Sequence, residues 1–236
     1  MSKSLKIVRI HNELLGTYGD QGNADVLAFR AKARAIGARV IEVSYLDVMP
    51  TDGDIYLMGG AEDAAQLLSL EALQRDNNLQ TALDRGAVLL AICAGFQIIG
   101  KSFEVSSKKV TGLGLLNVDS TSGTNIGKKR FVGDIKIRSE VVGCKLTGFE
   151  NHAGYTILGA GVQPLGSVIV GHGNGDDKND GAVSGNIFGT YLHGPVLARN
   201  PEFADLLLSR AVGEALEPYE DSLATRYSQF CSNVIK

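Results

Sequence analysis

The chain has 236 residues, 44% of them hydrophobic, and a formal net charge of −3. That is enough apolar material for a self-supporting core and excludes wholesale disorder, while the weakly acidic balance carries no nucleic-acid footprint. Three widely spaced cysteines, Cys93, Cys144 and Cys231, form neither a disulfide framework nor a C-x-x-C metal site and fit a reducing compartment.

The elements read in chain order as an alternation. Leu5 to Ile10 is a strand, and Asp20 to Ile36 has helical spacing, with Gly37 placed as a C-cap glycine. Arg39 to Val43 and Ile55 to Met58 are the next strands, the second ending in Gly59-Gly60. Ala64 to Gln74 and Asn78 to Asp84 read as helices. Ala87 to Ile92 is a continuous apolar run, as expected for a parallel strand buried on both faces, and a helix begins near Phe96 to Gly100. Beyond residue 103 β-type segments dominate: Gly133 to Arg138, Val141 to Phe149, Ser167 to Val170 and Asn186 to Tyr191. They are expected to extend the same sheet and to add antiparallel strands. Pro201 to Val212 reads as a helix with Asn200 as N-cap and Pro201 at N1, and Glu217 to Lys236 is weakly patterned.

The expected fold class is therefore α/β: a mostly parallel sheet sandwiched by helices, in one domain over residues 1–236. The N-terminus lacks a signal-peptide h-region, and the longest apolar run, Ala87 to Cys93, is too short to span a bilayer. A cytoplasmic protein is expected, reaching a membrane only through a partner.

Cys93 ends the buried strand and is followed by Ala94-Gly95. A free cysteine in an apolar strand is more often inert filler than a nucleophile. The two small residues argue the other way, because they permit a sharp strand-to-helix turn that displays the thiol beside backbone N–H donors. Cys144 and Cys231 lack such a setting and read as structural. A nucleophilic thiol needs a base. Of four histidines, His11 reads as solvent-facing and His172 lies in a glycine-rich loop. His193 ends a strand and meets a Gly-Pro turn, which favours it over His152. Gly59-Gly60 opens on the same sheet edge, so the Gly60 amide joins that of Ala94 as a candidate oxyanion donor. Lys128-Lys129-Arg130, taken alone, reads as a solvated turn.

Taken together, Gly59-Gly60, Ile92-Cys93-Ala94-Gly95-Phe96-Gln97 and Gly189-Thr190-Tyr191-Leu192-His193-Gly194-Pro195 resemble class I glutamine amidotransferases of the cobyric-acid-synthase-like branch, whose fold is flavodoxin-like. Within it the chain is similar to the GatD family, glutaminase subunits that work with a Mur-ligase-like (MurT-like) synthase to amidate the D-glutamate of the peptidoglycan stem in lipid II. Tyr18-Gly19-Asp20-Gln21-Gly22-Asn23, Arg130 to Asp134 and Gly148 to His152 add to the resemblance. It implies that Cys93 forms a γ-glutamyl thioester, that His193 is its base, and that the Gly60 and Ala94 amides hold the oxyanion. It also implies that Arg130 binds the α-carboxylate of L-glutamine and that Gln97 shapes the pocket. The resemblance places ATP and metal on the synthase partner, in a heterodimer, with no cofactor in this chain, which lacks a P-loop signature.

Most class I relatives carry His-x-Glu, but the second residue after His193 is Pro195. Three sources of a third carboxylate stand open: distant Glu150, none at all, or the synthase partner, and the last is the expectation. The rival readings are an amidotransferase subunit for another acceptor such as a corrinoid carboxylate, a non-catalytic regulatory protein on this fold, and a cysteine peptidase.

Overall fold

The computed structural model describes residues 4–235. Met1 to Lys3 of the N-terminal stretch and Lys236 of the tail lie outside the described residues. The first half alternates as expected: β1 (Leu5–Ile10), α1 (Asn12–Leu15), α2 (Gly22–Ala33), β2 (Ala38–Val43), β3 (Ile55–Met58), α3 (Asp63–Leu73), α4 (Asn78–Asp84), β4 (Val88–Ile92) and α5 (Ala94–Ile99). Every residue of β3 and of β4 is buried, which is why their sequences are unbroken apolar runs rather than alternations.

The middle of the chain departs from the expected extension of one sheet. β5 (Ser102–Val105), β6 (Lys108–Thr111), β7 (Val118–Ser122), β8 (Phe131–Ser139), β9 (Cys144–His152), β10 (Gly154–Leu158), β11 (Gly166–Val170) and β12 (Asn179–Asp180) form two separate four-stranded sheets, ordered β10-β7-β5-β6 and β12-β11-β8-β9. The chain then returns to the main sheet with β13 (Ala182–Ser184) and β14 (Ile187–Thr190). The resulting order is β13-β14-β4-β3-β1-β2, parallel throughout except for β13. The period-2 pattern of β8 identifies a strand but not its sheet, because the pairing partner is set by contacts far along the chain.

α6 (Val196–Arg199) and α7 (Pro201–Val212) follow, and α7 buries Phe203, Ala204, Leu207 and Leu208. Asn200 stands at the N-cap position of α7, but its side chain does not cap the helix. It accepts from Thr147 N and donates to the carbonyls of Thr147 and Val196, tying α7 to β9. The tail forms α8 (Ser222–Val234), whose N-cap Asp221 accepts from Ala224 N at 2.9 Å. Cys231 is its one buried side chain, while Leu223, Tyr227, Phe230 and Val234 are spaced along one helical face and exposed.

The glycine expected to end α2 does not do so. Ala35 adopts the left-handed conformation, φ 58°. Ile36 N donates to Ala31 O and Ala35 N to Lys32 O, both at 3.0 Å, which is a Schellman ending with alanine in the glycine position. A left-handed alanine costs about 1 kcal/mol relative to glycine. Ala35 is exposed, so nothing opposes the exchange. Ala35→Gly is expected to stabilise the fold by about 1 kcal/mol, read as a higher denaturant midpoint at unchanged slope.

Candidate active site

β1, β3, β4 and β14 are neighbours in the parallel part of the main sheet, so their carboxyl ends open on one edge, the usual ligand edge of such sheets. Cys93 follows β4 with φ 53° and ψ −105°, a conformation costing about 1–3 kcal/mol that surrounding contacts must hold. Its amide donates to Thr190 O at 2.9 Å and its carbonyl accepts from Gln97 N at 3.0 Å. Gly95 answers the question of the small residues. A Cβ there would lie 2.8 Å from Met58 Cβ, so only glycine lets α5 start this close to β3.

His193 follows β14, and its backbone is bridged to Phe149 of β9, N to O at 2.8 Å and the reverse bond at 3.2 Å. The ring is fully buried and packs against Tyr18 and Phe149, with centroids at 4.5 and 5.2 Å. Its Nδ1 lies 2.9 Å from Asp20 Oδ2. Asp20 comes from the turn before α2 and is itself buried. A carboxylate can only accept here, so Nδ1 carries a proton. Burial disfavours the imidazolium, but Cys93 and then Asp20 outweigh it and push the His193 pKa up to about 10. Nε2 is buried and without a hydrogen-bond partner.

A carboxylate that holds His193 Nδ1 is therefore present in this chain, where the expectation looked to the partner subunit. Glu150 does not reach His193. It accepts from the amides of His172 and Gly173 at 3.0 and 2.9 Å and pairs with His172 Nδ1 at 3.0 Å. Asp20 escaped sequence reasoning because it stands 173 residues from its partner, and no local spacing links the two.

Gly60 is also placed differently from expectation. Its amide donates to Asp20 Oδ2 at 3.0 Å, so it serves the carboxylate rather than an oxyanion. Gly60 must still be glycine, since a Cβ there would come within 2.6 Å of His193 Cε1 and 2.8 Å of Tyr18 Cδ2. The next residue, Ala61, lines the cavity.

That cavity, of about 240 Å³, is bounded by Cys93, Ala94, Ala61, Gln97, Arg130 and His152 among others. Arg130 is exposed at its edge, with Nε donating to Asn151 Oδ1 at 2.7 Å and Nη2 to Asn151 O at 3.1 Å. It is thus a placed cation, unlike Lys128 of the same cluster, which pairs with Asp176. The Gln97 amide is engaged in the wall: Oε1 accepts from Gln66 Nε2 at 2.8 Å and Nε2 donates to Tyr191 Oη at 3.3 Å. Tyr18 packs on His193 with its ring tilted by 39° and donates to Glu62 Oε1 at 3.1 Å.

The remaining histidines have other partners, and of them His152 lines the same cavity as Cys93. His152 donates Nδ1 to Gly154 O, stacks on Tyr191 at 3.7 Å, and is held neutral by burial. His172 stacks on Phe131 at 4.1 Å. His11 is buried rather than solvent-facing, with Nδ1 2.9 Å from Ser69 Oγ.

Comparison with known proteins gives the family. Residues 6–201 match the family model of the CobB/CobQ-like glutamine amidotransferase domain. The chain is 35% identical to the lipid II isoglutaminyl synthase (glutamine-hydrolysing) subunit GatD of Streptococcus pneumoniae (strain ATCC BAA-255 / R6), over 98% of this chain and 91% of that one. It is 38% identical to the subunit of the same name from Staphylococcus aureus (strain N315), over 92% and 88% of the two chains. Among solved structures, a glutamine amidotransferase shares the fold at TM-score 0.61 and 18% identity, covering 87% of this chain and 98% of its own. With the matched segment containing Cys93, His193, Asp20 and Arg130, the chain belongs to the CobB/CobQ-like glutamine amidotransferase family.

Proposed function

We propose that this chain is the glutamine-hydrolysing subunit of a lipid II isoglutaminyl synthase. It releases ammonia from L-glutamine for a Mur-ligase-like synthase subunit that amidates D-glutamate of the peptidoglycan stem. The observation that carries the hydrolytic part is that Cys93, on the wall of a cavity edged by Arg130, stands against a buried His193 whose Nδ1 is held by Asp20. The acceptor rests on similarity along nearly the whole chain to the two subunits named above. A probable cobyric acid synthase from Methanococcus maripaludis (strain C7 / ATCC BAA-1331) matches at 31% identity over 66% of this chain and 33% of its own length.

In this reading the thiolate of Cys93 attacks the side-chain carbonyl carbon of glutamine. The oxyanion is held by the Ala94 amide and, in place of Gly60, by that of Ala61. With Nδ1 held by Asp20, Nε2 is the nitrogen of His193 left to exchange a proton. The imidazolium gives that proton to the leaving nitrogen as the C–N bond breaks and ammonia departs. The neutral imidazole then takes a proton from water, which attacks the thioester, and glutamate leaves with the thiol restored. Arg130 receives the α-carboxylate, a pairing suited to a guanidinium, and Gln97 shapes the wall. ATP and metal belong to the synthase subunit in this scheme. The pair works in the cytoplasm and meets its lipid-linked acceptor at the inner membrane face, and no helix among the described residues is long and apolar enough to cross a membrane.

The primary experiment is ammonia release from L-glutamine by the chain with its co-expressed synthase subunit. Release that vanishes in Cys93→Ser is expected. No release, with the partner verified as bound, would leave a regulatory role instead. Asp20→Asn should lower kcat by about 10²–10⁴-fold with little change in KM, because it disturbs the imidazole and not the pocket; a full-rate variant in the complex would return the third carboxylate to the partner. Imidazole titration by NMR should find His193 still protonated at pH 8, since its pKa is pushed up to about 10, and Cys93→Ala should lower it, because Cys93 is the leading group that raises it.

A further inference from the structure

A free amino acid presents two opposite charges on one carbon, so a site that selects it needs a cation and an anion that converge. Arg130 is the one guanidinium or ammonium side chain among the described residues that line the cavity. Three carboxylates line it as well: Glu62, Asp63 and Glu104. Of these, Glu62 is joined to Arg130 through a single atom. Tyr18 Oη donates to Glu62 Oε1 at 3.1 Å and lies 3.5 Å from Arg130 Nη2. Glu104 accepts from the amide of Ser122 at 2.9 Å, on the β5–β7 side of the cavity. Glu62 occupies the N-cap position of α3, where a carboxylate often accepts from the helix amides, yet its side chain makes no cap bond. The carboxylate is turned to Tyr18 instead.

We propose that Glu62 receives the α-ammonium group of the substrate opposite Arg130, with Tyr18 as the positioning residue that holds the two receivers together. The assignment rests on the reading that the substrate is glutamine and adds how its head group is selected. Proximity supports it: both receivers contact one phenol oxygen, so the carboxylate and the guanidinium lie on the same side of the cavity mouth. The same tyrosine ring packs on His193 at 4.5 Å, so the head-group site and the base share one side chain. Substrate acids lacking the amino group would leave the Glu62 carboxylate facing Arg130 and Tyr18 alone, and would lose one charge-assisted hydrogen bond, equivalent to about 10- to 100-fold in kcat/KM.

The test compares L-glutamine with 4-carbamoylbutanoate, which is glutamine with its amino group replaced by hydrogen, using the full chain with its synthase subunit. The wild-type protein should prefer glutamine by about 10- to 100-fold in kcat/KM. Glu62→Gln should bring that ratio to within about 3-fold, mainly through KM for glutamine. Tyr18→Phe keeps the ring on His193 and removes the bridge, and should raise KM for glutamine about 5-fold with a smaller effect on kcat. Undiminished discrimination in Glu62→Gln, or its collapse in a parallel Asp63→Asn variant instead, would overturn the assignment. A wild-type complex that hydrolyses neither compound would overturn both the assignment and glutamine hydrolysis itself.

Discussion

The site depends on one buried contact, that of His193 Nδ1 with Asp20 Oδ2 at 2.9 Å. Both groups are almost wholly out of water, so each would be costly to bury alone. Removing one partner of such a pair typically costs about 3–5 kcal/mol, because the other is left uncompensated. The contact is therefore a constraint on three separate chain segments. The turn after α1, the Gly59-Gly60 loop after β3 and the end of β14 must meet, and the Gly60 amide on the same carboxylate oxygen closes the arrangement. The strained backbone at Cys93 is tolerable on the same grounds. It is held by bonds to Thr190 and Gln97 and faces an imidazole that cannot move without breaking the pair with Asp20.

The two small sheets make sense as a clamp on that imidazole and as the far wall of the cavity. β9 fixes the His193 backbone through Phe149, supplies Asn151 to orient Arg130, and is anchored from behind by Asn200, which satisfies both the amide and the carbonyl of Thr147. Below the cavity a chain of hydroxyls runs from Tyr191 Oη to Thr156 and on to Ser120, at 2.7 Å each, and burial pushes the Tyr191 hydroxyl up to about 12. Asp180 of β12 accepts from Thr190 Oγ1 and Tyr191 N and so pins the strand end that precedes His193. Burial pushes its carboxyl up to about 7, which fits a role as a hydrogen-bonded anchor in a dry site.

What was legible in the sequence follows from how local each signal is. β1, β3, α4 and α7 have the bounds that the apolar pattern and Pro201 predict, because burial on both faces, or a proline at N1, is written within a few residues. Cys93 and His193 were legible because each ends a strand beside small residues or a Gly-Pro turn. Asp20 was not, since its role exists only once β1, β3 and β14 are neighbours. Tyr18 and Asp20 stand in the stretch Tyr-Gly-Asp-Gln-Gly-Asn, whose polar, glycine-bearing character after a strand was the available signal. Gly37 misled because glycine is only the commonest left-handed residue, and Ala35 takes that conformation when two Schellman bonds require it. The helix α8 was missed although Leu223, Tyr227, Phe230 and Val234 recur at helical spacing, because polar residues fill the positions between them.

Pro195 occupies the position where class I relatives carry the carboxylate that orients the histidine, and the structure gives that exchange a physical reason. A Cβ at Gly22 would lie 2.6 Å from Pro195 Cγ, so the start of α2 is seated directly on the proline ring. One residue further, Asn23 Oδ1 accepts from Leu197 N at 2.9 Å, a second tie between the same two segments. Asp20 stands two residues before Gly22, on the turn these contacts fix. The position two after His193 thus contributes no charge of its own. It is a wedge that docks the loop carrying the charge, and Gly22 is glycine because anything larger would lift that loop, and Asp20 with it, away from the imidazole.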